Sequence, residues 1–393
     1  MKLLVHHHAV AYQDAHGIWI HSTMGKWIVN LSNYYEQVGL LVHVSENKRP
    51  VQDVCITNEN IKLHSLGLPG KMWDKIQRTF RIRKACAALN NRYDVLLVRG
   101  ITPRQHIVWN NIKVTTSKKY FLLVGSLHNK YSIFNIRSII DGYNYYMERY
   151  RRWELKSILK NGTLLVNAPS LKKEAMVILN DKAVFSPTNS ISKKEFSTFE
   201  VRKINNPVKL LFCGRIEIKK GIIEGISAVN LLKKEGIDVQ LDIVGPVEDQ
   251  KFSKEAKVMI DELNIDDQII FHGRVPYGDE LFSYYKKADI FILPSYTEGF
   301  PHVIWEAAAN CCPVIATKVG GIPSLFKHRE HGILIPPQNK YALSDSIIEL
   351  INNTTLRSEI ITNAYKLANE YTVEKCAKRL SDNILKDTTN NDI

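Results

Sequence analysis

Two carboxylates, Glu298 and Glu306, frame a short polar segment between an apolar run and a helical one. The apolar run, residues 290–293, is ended by Pro294, as expected for a strand that is buried on both faces. Carboxylates accept paired hydrogen bonds from vicinal hydroxyl groups, so both side chains are candidates to bind a ribose or a sugar. The alternative is that Glu298 only favours the start of the helix and that Glu306 is solvated.

The predicted N-terminus of this helix is a candidate binding site for an anion. We expect Pro301 at the first helical position, where its missing N–H costs nothing. The backbone N–H groups of His302 and Val303 would then point out of the helix N-terminus, beyond the carboxyl end of a strand, where open α/β sheets bind anions. A carboxylate repels a phosphate, so the acids would serve hydroxyl groups on either side of a diphosphate.

A second polar segment, Gly214-Arg215-Ile-Glu-Ile-Lys219-Lys220-Gly221, follows the apolar run 208–213. Glycine lets the backbone approach a ligand closely, Arg215 can bind a phosphate through two N–H groups, and Lys220 supplies a compact charge. Alone, such a string is more typical of solvated basic residues. Because parallel strands end at one edge of a sheet, however, Arg215 and Lys220 should lie at the same edge as Glu298.

The elements that must position these residues alternate regularly in the second half of the chain. We predict the strands 208–213, 239–244, 268–271, 289–293, 314–316 and 332–335. We predict the helices 222–234, 253–263 and 279–287, and a further helix from His302. Strands that alternate with helices at this spacing indicate a parallel sheet with helices on both faces.

The first half is less regular. We predict a strand at 2–5, a long loop to His21, a helix from Ser22 or Thr23 to residue 37, and strands at 40–44, 94–98, 120–124, 163–166 and 183–186. The polar segment 187–207 has a proline at each end and is the expected interdomain connection. The expected domains are therefore residues 1–200 and 201–372, followed by a helix at 373–393 that could return to the N-terminal domain.

Composition limits the class of protein. A chain of 393 residues with 45% apolar and 24% charged residues is typical of a soluble globular protein of two domains. No apolar run approaches the roughly 20 residues that a membrane-spanning helix needs, and the first residues turn polar too early for a signal peptide. We therefore expect a cytoplasmic protein, with the inner face of the cell membrane as a candidate site of action.

The charge is unevenly distributed. Residues 1–200 hold 29 Lys and Arg against 14 Asp and Glu, a net charge of +15, whereas residues 201–393 hold 24 against 26, a net charge of −2. The first half is thus expected to meet an anionic partner, either membrane headgroups or a phosphorylated acceptor. Nucleic acid competes on charge alone, but no recognition element for it is evident, so we expect none as a partner.

The segment 136–156 mixes arginines with tyrosines and Trp153. This mixture suits a helix at a membrane interface or in an acceptor groove. The alternative, which the sequence favours slightly, is an ordinary helix that packs its aromatic residues inward and solvates its arginines.

With both polar segments in place, residues 208–372 closely resemble the nucleotide-binding domain of family 4 (group 1) glycosyltransferases. This family has the GT-B fold, in which two Rossmann-like domains with parallel sheets face each other across a donor cleft. The residues that carry the resemblance are Gly214-Arg215, Lys220-Gly221, Val244-Gly245, Phe271-His-Gly273-Arg274-Val275, Tyr285-Lys-Lys-Ala-Asp289, Pro294-Ser295, Glu298-Gly-Phe-Pro-(x4)-Glu306-Ala307, Pro313-Val-Ile-Ala-Thr-Lys-Val-Gly-Gly321-Ile-Pro and Gly332-Ile-Leu-Ile-Pro336.

The resemblance implies transfer of a sugar from a UDP- or GDP-sugar with retention of configuration at the anomeric carbon. Arg215 and Lys220 would hold the diphosphate, and the amides of His302 and Val303 would share it. Fixed cations and helix amides would then stabilise the leaving diphosphate as the glycosidic bond breaks. The chain has no Asp-x-Asp triplet, so we expect no metal ion and no other cofactor.

The remaining roles follow from the same resemblance. Glu306 would bind the ribose hydroxyls, Glu298 would contact a hydroxyl of the transferred sugar, and the backbone around Arg274 would recognise the base. Phe300 and Pro301 would belong to the donor-binding loop.

The first half resembles the acceptor domain of the family only loosely. His128, just after the strand at 120–124, matches a position where the family commonly has a histidine that faces the donor sugar. Gly17 and Gly25 are candidates for the close approach to the donor, although the family's glycine-rich loop is absent. His6, His7 and His8 cannot all converge on one metal ion, because neighbouring residues of a strand point to opposite faces.

The sequence thus favours an enzyme that adds one sugar to a lipid-linked or saccharide acceptor in the synthesis of cell-surface polysaccharide or lipopolysaccharide. A peripheral contact with an anionic membrane is part of this expectation. The first alternative is a synthase of the same fold that acts on a soluble sugar phosphate. A remote alternative is a non-catalytic protein that binds sugar or nucleic acid.

Overall fold

The computed structural model of the chain describes residues 1–69, 75–100, 105–124, 139–179 and 183–389. The chain divides into two compact units, of which the first comprises Met1–Ser190 with Val373–Ile393 and the second Ile191–Thr372. The second unit thus begins ten residues before the expected boundary. The reason is local: the backbone N–H of Ser197 donates to Ala309 O at 3.1 Å, and its hydroxyl donates to Asn310 Oδ1 at 2.7 Å.

The first unit is an α/β unit around one large sheet. Its strands are β1 (Lys2–Asp14), β2 (Gly17–Ile20), β3 (Gln37–Val44), β4 (Val54–Ile56), β5 (Ile61–Ser65), β6 (Val95–Arg99), β7 (Lys118–Leu123), β8 (Thr163–Val166) and β9 (Val184–Phe185). Its helices are α1 (Ser22–Ser32), α2 (Lys75–Ala87), α3 (Gln105–Asn111), α4 (Ile139–Leu159) and α5 (Pro169–Leu179). The parallel part of the sheet has the order β5-β3-β1-β6-β7-β8-β9, and β2 and β4 extend β1 by antiparallel pairing.

The beginning of the chain differs from the prediction. Residues 6–20, which we expected to be mostly loop, form the second part of β1 and a hairpin to β2, with Tyr12 opposite Trp19. The turn is held by Asp14, whose carboxylate accepts the backbone N–H groups of His16 at 2.9 Å and Gly17 at 3.2 Å. An aspartate that accepts backbone N–H groups two and three residues later is a common turn device, and this signal was present in the sequence.

The C-terminal helix belongs to the first unit. This helix, Val373–Thr389, is labelled α13 because it is the last helix of the chain. Val373, Leu380 and Ile384 are buried in the core that also contains α1, and the hydroxyl of Tyr120 donates to Asp387 Oδ2 at 2.8 Å. Apolar residues at these helical spacings give α13 one buried face.

Helix α4 corrects the interpretation that the sequence favoured. Tyr146, Tyr150 and Trp153 are 70%, 43% and 63% exposed, so these aromatic side chains do not pack inward. With the exposed Arg149 between them, these residues occupy positions 146, 149, 150 and 153 of the helix, which are i, i+3, i+4 and i+7 and therefore lie on one face. The buried face is formed instead by Glu154 and by apolar residues further along the helix. In the part of the chain that the structure describes, no helix is long and apolar enough to cross a membrane.

The second unit contains one six-stranded parallel sheet. Its strands are β10 (Val208–Cys213), β11 (Val239–Val244), β12 (Ile269–Gly273), β13 (Ile290–Leu293), β14 (Val314–Thr317) and β15 (Ile333–Ile335). Its helices are α6 (Ile222–Lys234), α7 (Gln250–Glu262), α8 (Asp279–Lys287), α9 (His302–Ala309), α10 (Ile322–Leu325), α11 (Lys340–Asn352) and α12 (Thr354–Glu370). The predicted bounds of β10, β11, α6 and α8 are confirmed, because their apolar periodicity and flanking polar residues mark both ends.

The strand order of the second unit is β12-β11-β10-β13-β14-β15. Counted within the unit, this is the order 3-2-1-4-5-6 of a doubly wound dinucleotide-binding sheet, and the order reverses between β10 and β13. Both central strands are buried along almost their whole length. The sheet therefore has a topological switch point at the carboxyl ends of β10 and β13, where the two predicted polar segments begin.

Candidate functional site

The loops after β10 and β13 meet through one short ion pair. The Lys220 ammonium lies 2.6 Å from Glu298 Oε1, and the two side chains are only 16% and 9% exposed. Lys220 ends a 3-10 turn, Ile218–Lys220, just before α6, and Glu298 lies between β13 and α9. The structure thus brings together two of the predicted site residues from loops that are 78 residues apart in sequence.

A tyrosine that the sequence analysis did not select ties the same loops together. The backbone N–H of Tyr296 donates to Lys219 O at 2.8 Å, and its hydroxyl donates to both carboxylate oxygens of Glu224, at 2.8 and 2.9 Å. Burial and this carboxylate raise the pKa of Tyr296 well above its ordinary value, so the phenol stays a donor. Its position two residues before Glu298 was the only signal in the sequence.

The loop after β14 supports Glu298 from the other side. Gly320 has a left-handed backbone, with φ +55°, and a Cβ at this position would lie 1.7 Å from the carbonyl oxygen of Glu298. The next residue, Gly321, donates its N–H to Gly299 O at 2.6 Å. Only glycine allows this close approach. The Gly-Gly pair therefore fixes the backbone that carries the Glu298 carboxylate.

Helix α9 begins at His302, and Pro301 is its N-cap rather than its first helical residue, with extended backbone angles of φ −76° and ψ 129°. The fixed φ of proline is compatible with both positions, so the sequence alone does not distinguish them. The prediction therefore placed Pro301 one position too far into the helix. An α-helix leaves its first N–H groups without intrahelical acceptors, so the first turn, including Val303, presents amides at the switch point. Phe300 stacks on Trp305 with ring centroids 4.8 Å apart, which anchors the loop to the helix.

Glu306 is buried, at 4% exposure, which excludes the alternative of a solvated residue. Its Oε2 accepts the hydroxyl of Tyr285 at 2.8 Å. Burial, then Cys213 and Glu306, raise the pKa of Tyr285 well above its ordinary value. Burial and then Glu306 raise the pKa of the Cys213 thiol to about 12. The Tyr285 phenol and the Cys213 thiol therefore both stay protonated at neutral pH. The Tyr285 hydroxyl sets the orientation of the Glu306 carboxylate.

The two predicted arginines lie at the surface of the unit. Arg215 is 57% exposed and pairs with Glu217 of its own loop at 3.0 Å, rather than with Glu298. Arg274 is exposed and directly follows β12. Its neighbour Gly273 accepts the backbone N–H of Gly245 at 2.7 Å. Both arginines thus follow strands of this sheet, and neither is fixed by burial.

The predicted residues of the first unit have different surroundings. Gly17 forms part of the hairpin, where a Cβ would lie 2.5 Å from Ile56 O, and Gly25 lies in α1, where a Cβ would lie 3.1 Å from Val54. Close packing within the first unit therefore accounts for a glycine at both positions. His128 lies outside the described residues. No group of three or more His, Cys, Asp or Glu side chains within the described ranges could hold a metal ion.

Comparison with known proteins agrees with this geometry. Residues 193–367 match the model of the family described as glycosyl transferases group 1. The D-inositol 3-phosphate glycosyltransferase of Paenarthrobacter aurescens is 29% identical over 182 residues, which cover 46% of this chain and 43% of the relative. The capsular polysaccharide biosynthesis glycosyltransferase of Staphylococcus aureus is 29% identical over 163 residues, which cover 42% of each protein. The chain spans about half of the length of the curated relatives that it matches.

The similarity of fold extends over the whole chain. The crystal structure of Anabaena HepE in complex with UDP matches 98% of this chain and 100% of HepE with a TM-score of 0.71, at 14% sequence identity. The expected GT-B fold is thus confirmed. Residues 193–367 belong to the group 1 glycosyltransferase family, and the chain as a whole has the GT-B fold.

Proposed function

We propose that the protein is a retaining glycosyltransferase that moves a sugar from a UDP- or GDP-sugar to a lipid-linked or saccharide acceptor in the synthesis of cell-surface polysaccharide or lipopolysaccharide. The observation that carries this proposal is the contact of Lys220 with Glu298 at the switch point. A cation for a diphosphate and a carboxylate for a sugar hydroxyl lie side by side there. A relative named for capsular polysaccharide biosynthesis supports the choice of pathway.

The leaving group explains the need for Lys220. The diphosphate gains negative charge as the glycosidic bond breaks, and a fixed cation favours that state over the ground state. An ammonium has three N–H donors, and Glu298 accepts from one of them, so the others can serve a phosphate oxygen. The amides at the start of α9 would add their partial charge. With these groups in place, and with no Asp-x-Asp triplet in the chain, the proposed reaction needs no metal ion.

The two carboxylates would bind different parts of the sugar nucleotide. Glu306, held by Tyr285, is proposed to accept the ribose hydroxyls. Glu298, held by Lys220, is proposed to accept a hydroxyl of the transferred sugar, so that the pair aligns the anomeric carbon with the leaving phosphate. The backbone near Arg274 would contact the base. A protein nucleophile is not part of the proposal, because a phosphate oxygen of the donor can take the proton of the acceptor.

The acceptor side of the proposal rests on the first unit. The excess of basic residues in residues 1–200 suits an anionic partner. Helix α4 adds an exposed face on which Tyr146, Tyr150 and Trp153 flank Arg149. Amphipathic aromatics beside a guanidinium are typical of a helix that lies at the surface of an anionic bilayer. We therefore place the enzyme at the inner face of the cell membrane, where it would meet a lipid-linked acceptor.

A second candidate keeps the donor site and changes the acceptor to a soluble sugar phosphate. It is favoured by the relative named D-inositol 3-phosphate glycosyltransferase, and it would use the same basic charge of the first unit. The two candidates differ in what the first unit recognises, not in the chemistry at Lys220 and Glu298.

A ligand screen followed by product analysis tests the proposal. The purified protein is heated with UDP, GDP, ADP and their sugars, with and without magnesium. A ligand at about 100 times its dissociation constant adds roughly 2.7 kcal/mol to the free energy of unfolding, which such a screen detects. We expect one diphosphate to stabilise the protein without magnesium, and the product made from its sugar to keep the anomeric configuration of the donor. Stabilisation by no nucleotide would overturn the proposal.

A further inference from the structure

The first unit also has a switch point, and a buried arginine lies there. In the order β5-β3-β1-β6-β7-β8-β9, the direction of chain progression reverses between β1 and β6. The last paired residues of these strands are His6 on β1 and Val98 on β6. Arg99 and His7 are the next residues on each strand. In parallel α/β sheets, ligands bind outside the carboxyl ends of the strands at such a reversal.

The path of β1 is irregular at the same place. Its register with β3 shifts between His6 and Val10, so that His6 pairs with Leu41 and Val10 pairs with His43. Four steps along β1 thus correspond to two along β3. Extra residues in a strand bend it and redirect its side chains, and they are frequent next to active sites. Here the extra residues include His7 and His8, whose rings lie 4.1 Å apart.

Arg99 is only 8% exposed, and the side chains of the described residues that contact its guanidinium, Met24 and Trp27, are neutral. One terminal nitrogen lies 3.3 Å from Met24 Sδ, and the guanidinium carbon lies 4.6 Å from the centroid of the Trp27 ring. Within the described ranges no carboxylate pairs with Arg99. Burial lowers its pKa to about 10, which still leaves the group charged at neutral pH. A buried charge is costly unless an opposite charge and hydrogen bonds accompany it.

The two histidines face the same charge. Burial, and after it the charge of Arg99, lower the pKa of His7 and His8. The residue after Arg99 is Gly100, with φ +82°, and a Cβ on it would lie 3.9 Å from His8 Nδ1. Neutral imidazoles can donate one N–H each. The cluster thus combines one permanent cation and two potential N–H donors, without an acid among the described residues to balance them.

From this arrangement we propose that Arg99, His7 and His8 form a binding subsite for an anionic group, a phosphate or a carboxylate, of the acceptor. The guanidinium provides paired N–H donors with the geometry of such oxyanions. The assignment to the acceptor rests on the proposed function, in which the donor binds to the second unit. The existence of the anion subsite does not rest on it.

The test measures anion binding to the full chain in the Lys220→Ala background, which lacks the cation of the donor site. Inorganic phosphate, glucose 1-phosphate and dihexanoylphosphatidylglycerol are titrated by calorimetry. We expect at least one of them to bind, and the further substitution Arg99→Met to weaken that binding by at least about tenfold, the value of a lost charged hydrogen bond. Arg99→Lys should lose part of the affinity. His8→Gln, which alters an exposed side chain, should lower the affinity without loss of folding.

Binding of glucose 1-phosphate but not of the lipid would assign the subsite to free sugar phosphates, and the reverse would assign it to lipid phosphates. Binding that Arg99→Met and His8→Gln leave unchanged, or the absence of binding by all three probes, would overturn the subsite. To separate the two proposals, nucleotide binding is also measured for Arg99→Met in the protein that keeps Lys220. We expect nucleotide binding to persist in this variant. Its loss would show that Arg99 contributes to the donor site or to the stability of the fold rather than to a separate subsite.

Discussion

Lys220 and Glu298 form an ion pair of 2.6 Å between the loops that follow β10 and β13, at the point where the strand order of the second unit reverses. Both side chains are mostly buried, so each limits the position of the other. The pair links the two parts of the proposed reaction, because the cation would stabilise the leaving diphosphate and the carboxylate would hold the sugar.

The roles of the two members can be separated by Glu298→Gln. The amide keeps the shape of the side chain but removes its charge, so we expect the diphosphate to bind as well as before or more tightly. Transfer of the sugar should fall by roughly a hundredfold, the usual size of a lost charged contact in a transition state. Initial rates and the dissociation constant of the diphosphate check both parts. An unchanged rate would show that Glu298 does not act on the sugar.

Tyr285→Phe tests how Glu306 is held. The substitution removes the hydroxyl that donates to Glu306 Oε2 at 2.8 Å and leaves a buried carboxylate with one donor fewer. We expect the second unit to lose about 1–3 kcal/mol of stability, and the Kd of the nucleotide to rise. Urea denaturation and calorimetry measure the two effects.

The neighbouring substitution Tyr284→Phe is the matched control. It removes a hydroxyl from the same helix, where the partner is His272 Nδ1 at 3.2 Å rather than Glu306. This variant should bind the nucleotide normally. Equal effects of the two substitutions on nucleotide binding would argue against a special role of the Tyr285 hydroxyl.

Two glycines with similar backbone angles provide a test of the loop that carries Glu298. Gly320 and Gly236 have φ +55° and φ +73°, but a Cβ would lie 1.7 Å from Glu298 O at the first and would meet nothing within 4 Å at the second. Gly236→Ala should cost about 1 kcal/mol for the left-handed backbone alone. Gly320→Ala should cost about 1–3 kcal/mol more for the overlap and should weaken nucleotide binding. Thermal denaturation of both variants measures these losses of stability. Equal losses in the two variants would contradict the proposed contact of Gly320 with the backbone of Glu298.

The exposed face of α4 predicts binding to anionic membranes. The double variant Tyr146→Ser with Trp153→Ser should lower the partition of the protein onto phosphatidylglycerol vesicles by at least about tenfold, since each aromatic side chain contributes about 1.5–3 kcal/mol when it is fully buried. Sedimentation with vesicles measures this partition. Phe80→Ser is the control, because Phe80 is 64% exposed on another helix of the same unit. A similar loss in the control, or none in the double variant, would exclude this face as the membrane contact.

The sequence predicted the second unit better than the first for a physical reason. Strands such as β10 and β13 are buried on both faces and read as apolar runs between polar loops, so their bounds and the site at their ends could be inferred. β1 is half-exposed after His6, and its hairpin depends on the turn at Asp14, which the apolar pattern does not show. The outward aromatic face of α4 also could not be inferred, because the same spacing fits an inward one.

Site residues were found where charge and spacing marked them and missed where their role is support. Tyr285 orients Glu306 through its hydroxyl, yet a tyrosine in an amphipathic helix looks like an ordinary core residue. Tyr296 supports the loop of Glu298 through its backbone N–H and its hydroxyl, and only its place in the polar segment before Glu298 marked it in the sequence. Arg99 was missed as well, since only the structure shows that it is buried without a described carboxylate partner.

The most direct test of the central claim compares Lys220→Ala with Lys219→Ala by calorimetric titration of the nucleoside diphosphate that the screen identifies. The two lysines are adjacent in the same 3-10 turn, but only Lys220 contacts Glu298, whereas the side chain of Lys219 is exposed. We expect Lys220→Ala to weaken diphosphate binding by at least about tenfold and Lys219→Ala to leave it unchanged. Equal affinities of the two variants would contradict the assignment of Lys220 to the diphosphate and, with it, the proposed donor site.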